Sequence, residues 1–429
     1  MKDNQNFLKA YNFLETLSNI QKINWDDKGV DNNILMKRMN LLLKYLSNPE
    51  KSLKILHVGG TAGKGSVSKI LQYNIFKNGH KCGLYTSPHA SSILERFEIN
   101  DKYMTEEEFV EILEKIKPAI KKVYDKHDLV PSFFDISVAM ALLFFIHKKC
   151  DYAVLEVGLG GRFDSTNIVT PIVSVITNVG LDHTEILGET KELIAVEKAG
   201  IIKENIPIFT ADEDPNIQNI LKKHAEKNNA DFYLIKTENF TLVNQMPLLE
   251  FSYNSYKFKS KLLGISQIKN IILASKIIEH LKMNVIENLD FSMPARIEIL
   301  KTSPLVICDG AHNSIKFQNL LTVLNEIPGK KHIVFALATN KDISEIRGIF
   351  KDIDAKFYIT RFNNFFRKSA DLNKLKNLFE SINKEVKVFL DPNDALKEAQ
   401  LSQEKDESII ITGSFYLAGE LRTQYLKNK

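Results

Sequence analysis

The sequence predicts an α/β protein with a large domain on a mostly parallel sheet and a second, smaller α/β domain. Three observations predict it. Short β-rich runs alternate with helical segments, the order that builds doubly wound parallel sheets. One run, Lys54 to Val58 (KILHV), leads into a glycine-rich turn and then a helix. The chain has 429 residues, more than one ordinary core accommodates.

The elements follow in order. Leu8 to Ile20 and Ile34 to Leu46 carry helical apolar spacing, with the polar loop NWDDKGVDNN between them. The strand at Lys54 to Val58 precedes GGTAGKGS and a helix from Ser66 to about Lys77. Cys82 to Thr86 reads as a strand, Glu106 to His127 as a helix, and Ile136 to Lys148 as an apolar helix. Tyr152 to Val157, Val173 to Asn178 and Ile206 to Thr210 are short β-rich runs, with a helix at Lys191 to Ile201 between two of them. From about Phe232 to Lys261 the alternation suggests an antiparallel hairpin flanking the main sheet, and Ser266 to Lys282 is again helical. A proline-containing break lies in NLDFSMPARI, from Asn288 to Ile297. Beyond it α/β alternation restarts at Leu305 to Cys308, Ile333 to Leu337, Lys356 to Thr360 and Ser408 to Thr412. The expected domains are therefore 1–292 and 293–429.

Composition narrows the function classes. Hydrophobic residues make up 44% and charged residues 26%, ordinary for a globular protein. Lys plus Arg is 57 against 53 for Asp plus Glu, a net charge of +4 spread along the chain. That balance makes no case for nucleic acid and suits small anionic substrates. Cys82, Cys150 and Cys308 have no paired spacing and read as free thiols of a reducing compartment. The first residues are polar and then amphipathic, without an apolar core of signal-peptide length. The longest apolar stretch, Val138 to Ile146, is too short to span a bilayer. A cytoplasmic enzyme without membrane or nucleic-acid partners is expected.

Three groups of residues carry chemistry. In HVGGTAGKGS (His57 to Ser66) the glycines let successive backbone N–H groups face a phosphate, and the following helix adds its positive end. Lys64 can neutralise β- and γ-phosphates and Ser66 can face a metal, although Gly65 separates them, unlike the standard phosphate-loop spacing. Taken alone, the segment also reads as a plain turn before a helix. Glu156, in LEVGLGGRFDSTN, and His183, in ITNVGLDHTEILG, each follow an apolar strand. Beside triphosphate oxygens they suit Mg²⁺ or Mn²⁺, whereas singly they read as an ordinary ion pair and a surface histidine. Lys198 alone reads as a solvated helix residue. The third group is Arg296 with Asp309, His312 and Asn313 of ICDGAHN. It suits nucleotide contacts, or simply a helix cap.

Together these segments resemble the folylpolyglutamate synthase/dihydrofolate synthase family, a branch of the Mur-type ligases. The matching segments, in the family's order, are HVGGTAGKGSV, GLYTSPHASSILERFEIN, EVGLGGRFDSTN, TNVGLDHTEILG, EKAGIIK, MPARIEIL, ICDGAHN and ITGSFYLAGELR. The resemblance spans from about Lys28 to Arg422. The resemblance implies a Mur-ligase-like central domain and a Rossmann-like C-terminal domain. It implies that Thr61, Ala62, Gly63, Lys64, Gly65 and Ser66 hold the ATP phosphates. Ser87, Glu156 and His183 would bind metal, with Lys198 as a carbamylated lysine holding a second ion. Lys64, His183 and Lys198 would be the catalytic set. Asn270, Arg296, Asp309 and His312 would contact the nucleotide, and Lys341 with Asp342 resembles the family's lysine–aspartate pair. The pterin pocket would draw on Lys28 to Asp31, including Val30 and Asp31, on Phe134 and Asp135 of SFFD, and on Phe163 and Asp164 with Ser165.

The implied reaction phosphorylates a carboxylate with ATP and lets the amine of L-glutamate attack the acyl phosphate, releasing ADP and phosphate. The small domain would close over the large one to keep water out. The acceptors would be folates and dihydropteroate, the alternative being a Mur-type amino-acid ligase that acts on a non-folate carboxylate. The cofactors would be two Mg²⁺ ions, with a monovalent cation as an option, and the enzyme would be a monomer. Three positions depart from the family pattern: Ala62 stands where Asn is usual, Ser266 where His or Tyr is frequent, and Asp135 where Glu is common.

Overall fold

A computed structural model describes residues 2–20, 33–339, 344–363 and 368–427. The chain divides into two compact units. The first comprises residues 1–89, 93–238 and 269–286, and the second residues 90–92, 239–268 and 287–429.

The first unit is built on an eight-stranded sheet. Its order is Lys102–Tyr103, Phe97–Ile99, Cys82–Tyr85, Tyr152–Glu156, Lys54–Gly59, Val173–Ile176, Ile208–Thr210 and Phe232–Leu234. The two edge strands at 97–103 pair antiparallel, and the other six strands run parallel. Lys54–Gly59 lies between Tyr152–Glu156 and Val173–Ile176, with Leu56 opposite both Val154 and Val173. Both faces of this central strand are covered, so Ile55 to Gly59 are all buried, as continuous apolar parallel strands require. One face packs against the helices Asn33–Tyr45, Glu106–His127 and Phe133–His147 in a core that includes Leu42, Phe109, Leu113 and Phe145. A second core around Ile194, Ile201, Ile217 and Leu221 lies under the helices Lys191–Ala199 and Pro215–Lys227.

Helix starts are fixed by local chemistry. Thr105 with Glu108, and Ser132 with Asp135, form complete capping boxes at the helices Glu106–His127 and Phe133–His147. The second of these helices is apolar around its whole circumference, as a helix buried on all sides must be.

In the second unit a six-stranded sheet runs Glu298–Thr302, Leu305–Cys308, Ser408–Thr412, Lys331–Phe335, Ala355–Ile359 and Glu385–Val388. Only its first pair is antiparallel. Four further strands, Asn288–Leu289, Tyr256–Ser260, Leu249–Tyr253 and Phe240–Asn244, form a separate sheet. The expected hairpin after Phe232 thus divides. Phe232–Leu234 extends the parallel sheet of the first unit, while the strands from Phe240 onward form their own sheet in the second. The alternation in Leu249–Tyr253, buried at every second residue, marks a sheet with one covered face. No described helix is long and apolar enough to cross a membrane.

Candidate active site

Parallel strands bring their carboxyl ends to one edge, where ligands bind in such sheets. Here that edge gathers the loop after Gly59, Ser87 after Cys82–Tyr85, Glu156 at the end of its own strand, and Thr177 and Asn178 after Val173–Ile176.

The loop after Gly59 turns on glycine. Gly60 has φ of 139°, and a Cβ there would stand 1.9 Å from Thr177 Oγ1. Gly63 has φ of 80° and caps the helix Lys64–Lys77 with no side-chain acceptor on the first turn. Those N–H groups face no competing cap, which suits an anion. Asn270 sits against the same point: its Oδ1 is 2.4 Å from where a Gly63 Cβ would be. The segment 177–180 holds the loop from the other side. Thr61 N donates to Asn178 O at 2.9 Å, Ala62 N to Asn178 Oδ1 at 2.9 Å, Gly180 N to Thr61 Oγ1 at 2.9 Å, and Thr177 Oγ1 to Ala62 O at 2.6 Å. Gly65 and Ser66 lie buried in the first turn.

Two ammonium groups meet at one carbonyl. Lys64 Nζ donates to Gly60 O at 3.1 Å, and Lys198 Nζ, from the helix Lys191–Ala199, donates to the same oxygen at 3.0 Å. Lys198 is buried, and burial, reinforced by the charge of Lys64, draws its pKa down to about 7. The default expectation for a helix lysine, a solvated cation, does not describe it.

Glu156 is buried, and its Oε2 accepts from the backbone N–H of Ser87 at 2.9 Å. His183 is different: its imidazole is half-exposed, with Asp182 and Glu185 carboxylates at 3.9 and 3.7 Å. Its backbone, at φ of 51°, caps the short helix Thr184–Leu187. No three described His, Cys, Asp or Glu side chains gather into a metal cluster. The expected set contains two such residues, Glu156 and His183, beside a hydroxyl and a lysine.

Of the expected pterin residues, Val30 and Asp31 lie outside the described segments, as do Lys341 and Asp342 of the lysine–aspartate pair. Phe134 packs its ring against Gly158 and beside Tyr85, at 6.0 Å between centroids. Asp135 is fully buried and pairs with Arg38 Nε. It also accepts from Ser132 N at 2.8 Å, Ser132 Oγ at 2.9 Å and Ser165 Oγ at 2.5 Å. It therefore ties three segments together. Phe163 is half-buried, with the Arg162 guanidinium 6.0 Å from its ring. Asp164 accepts from Leu159 N at 2.9 Å and Thr166 N at 3.0 Å, and burial pushes its carboxyl upward. Thr166 Oγ1 in turn lies 2.8 Å from Nε2 of the buried His57.

In the second unit, Asp309 is buried after Leu305–Cys308 and accepts from Ile297 N at 2.9 Å and Ala311 N at 2.8 Å. Burial raises its pKa, with Arg296 and Lys316 opposing that shift. His312 Nδ1 donates to Gly310 O at 2.8 Å, and its Nε2 lies 3.2 Å from Lys316 Nζ. Asn313 caps the helix Ser314–Leu324 through Lys316 N, so its helix-cap reading is the one realised in the structure.

Sequence reasoning passed over Thr177 and Asn178, although both lie in a quoted segment, because an Asn after a strand has no distinctive spacing. It also passed over Arg38, whose partner is 97 residues away.

The family model for the Mur ligase middle domain matches residues 58–278, and that for the Mur ligase glutamate ligase domain matches 295–415. The chain is 32% identical over 405 residues to dihydrofolate synthase/folylpolyglutamate synthase of Bacillus subtilis, covering 90% of this chain and 93% of that one. Among solved structures, folylpolyglutamate synthase of Thermotoga maritima superposes with a TM-score of 0.79 at 31% identity, covering 92% of this chain and 94% of that one. Mycobacterium tuberculosis folylpolyglutamate synthase, complexed with ADP, shares the fold with a TM-score of 0.83 at 23% identity and covers 99% of each chain. With both ligase domains matched, and Lys64 and Lys198 meeting at the loop beside the sheet edge that carries Glu156, the chain belongs to the dihydrofolate synthase/folylpolyglutamate synthase family of Mur-type ligases and is an ATP-dependent acid–amino-acid ligase.

Proposed function

We propose that this enzyme adds L-glutamate to folates, and to dihydropteroate, through an acyl phosphate. The observation that carries the reading is the meeting of Lys64 and Lys198 at Gly60 O, in the glycine loop of a chain from this family. A carboxylate oxygen of the acceptor attacks the γ-phosphorus of ATP, and the bond to ADP breaks. The glutamate amine then attacks the acyl carbon, loses a proton, and phosphate leaves. The chain's part is positioning and charge. Gly63 to Ser66 present backbone N–H groups to phosphate oxygens, in a loop whose Thr61 and Ala62 N–H groups are held by Asn178, and Lys64 offsets charge on the transferring group. Asn270, Arg296, Asp309 and His312 hold the nucleotide. In this reading residues 1–292 bind ATP and the pterin, and residues 293–429 add glutamate.

The donor set fits a divalent ion: the hydroxyl of Ser87, the carboxylate of Glu156 and the imidazole of His183 are ligands that Mg²⁺ or Mn²⁺ accepts. Bound there, such an ion supplies Lewis-acid neutralisation of phosphate charge. Lys198 fits as a carbamate. A buried amine with a pKa of about 7 is substantially neutral near neutrality, and the neutral form is the one CO₂ modifies. The pterin is assigned to Phe134, Asp135, Phe163, Asp164 and the segment containing Val30 and Asp31. The enzyme works as a cytoplasmic monomer.

Incubation of the protein with ATP, Mg²⁺, glutamate and a reduced folate is expected to yield ADP, phosphate and one new amide per turnover. Release of AMP and pyrophosphate would refute the acyl-phosphate route.

A further inference from the structure

The nucleotide set of the second unit is organised around a residue that the assignments above leave out. Phe415 opens the helix Phe415–Lys427, two residues after the left-handed turn at Gly413 (φ 102°). Its ring is half-buried. The Arg296 guanidinium carbon lies 4.4 Å from the ring centroid, and Lys316 Nζ lies 5.9 Å from it. The His312 ring meets Phe415 edge-on, with centroids 5.8 Å apart. The backbone between Asp309 and Ala311 rests directly on the ring: a Cβ on Gly310 would be 2.6 Å from Phe415 Cδ1. Two of the three residues assigned here to the nucleotide, Arg296 and His312, therefore contact a single aromatic ring. The third, Asp309, fixes the backbone beside Arg296 through its bond from Ile297 N.

An arginine has many rotamers and loses considerable freedom when it binds an anion. A ring face removes part of that cost in advance, because the planar guanidinium stacks on it and the ring quadrupole attracts the charge. We propose that Phe415 is a positioning residue of the nucleotide site, holding the Arg296 guanidinium in its binding orientation and His312 beside it. The inference rests on the assignment of Arg296 to the nucleotide. It predicts that Phe415 acts through Arg296 and needs an aromatic face, not apolar bulk alone.

The test uses the full-length enzyme. F415L is expected to raise KM for ATP by about 2- to 30-fold, the range spanned by cation–π contacts, while KM for glutamate and for the folate stays put. F415Y, which keeps the ring face, is expected to restore the wild-type value. In an R296A background, F415L is expected to add little, because the group it orients is gone. An unchanged KM for ATP in F415L, a full additional effect on top of R296A, or failure of F415Y to rescue each overturns the proposal. If F415L lowers the thermal unfolding midpoint, F415W against F415M makes the same comparison of ring with no ring. The underlying assignment has its own readout. A folded R296A with unaltered KM for ATP removes Arg296 from the nucleotide site. An impaired R296A beside an unaffected F415L overturns only the role of Phe415.

Discussion

At the scale of single residues, the proposed chemistry turns on the state of Lys198. Its pKa, drawn down to about 7 by burial and by Lys64, makes the uncharged amine available at physiological pH. A carbamate would convert it from a cation repelling metal ions into an oxygen ligand. Lys198→Arg keeps a long basic side chain but is permanently charged and cannot be carbamylated in this way, so turnover is expected to fall on the order of 100-fold or more. With ¹³C-labelled bicarbonate, the wild type is expected to show a carbamate carbon resonance that Lys198→Arg lacks. A fully active wild type with no such resonance would leave Lys198 unmodified. His57 gives a prediction about stability. It is completely buried, and burial, with Lys203 nearby, lowers its pKa from 6.5 to about 3. Between those values the unfolded chain binds a proton that the folded chain does not. His57 therefore contributes stability that is present above pH 6.5 and declines as the pH falls toward 3. In His57→Asn, the slope of unfolding free energy against pH below 6.5 is expected to be shallower by ~1.4 kcal/mol per pH unit. Denaturant titrations at several pH values measure it, and parallel slopes in the two proteins would contradict it.

At the scale of elements, the glycine loop works as a pair with the segment 177–180. Ala62 stands where the family usually has Asn, yet the loop keeps a side-chain amide from another element: Asn178 Oδ1 accepts from Ala62 N at 2.9 Å. Asn178→Ala leaves that N–H unpaired in a loop that must hold its shape. The expected result is a fall of about 5- to 30-fold in kcat/KM for ATP with little change in thermal midpoint, from the cost of one unsatisfied donor. An unchanged kcat/KM for ATP would show that the glycines alone fix the loop. This pairing also indicates what the sequence made legible. The strand at Lys54, the glycines and the following helix are a local pattern, and reading it located the loop. Partners such as Asn178 to Ala62, or Arg38 to Asp135, are set by sheet order and helix packing across about a hundred residues, which local patterning does not encode. The same limit divided the strands after Phe232. Their alternation was visible, but whether each joins the parallel sheet or a new one depends on edges assembled far away in sequence.

At the scale of the whole molecule, the acceptor defines what the enzyme contributes, and the two candidate acceptors make different demands. Dihydropteroate presents a carboxylate directly on its aromatic ring, whereas a folate presents one on a glutamyl side chain farther from the pterin. Lys64 and Lys198 are both bonded to Gly60 O in the glycine loop, so under the proposed mechanism the activated carboxylate arrives at the same place in either case. Accepting both requires tolerance on the pterin side. Asp135 bears on this point. It is fully buried, paired with Arg38 and bonded to Ser132 and Ser165, so it shapes the region by tying helix Asn33–Tyr45, helix Phe133–His147 and the loop after Glu156 together. A shorter acid here, Asp where Glu is common, is thus matched by local partners, and the region is built rather than eroded. Dihydropteroate is therefore expected to be glutamylated as well as reduced folates, with distinct KM values because each places its pterin differently. Parallel assays with saturating dihydropteroate and with tetrahydrofolate, following ADP release and the mass of the product, decide the matter. Folate glutamylation without any product from saturating dihydropteroate would remove the dihydrofolate synthase activity and leave a ligase that only extends existing glutamyl chains.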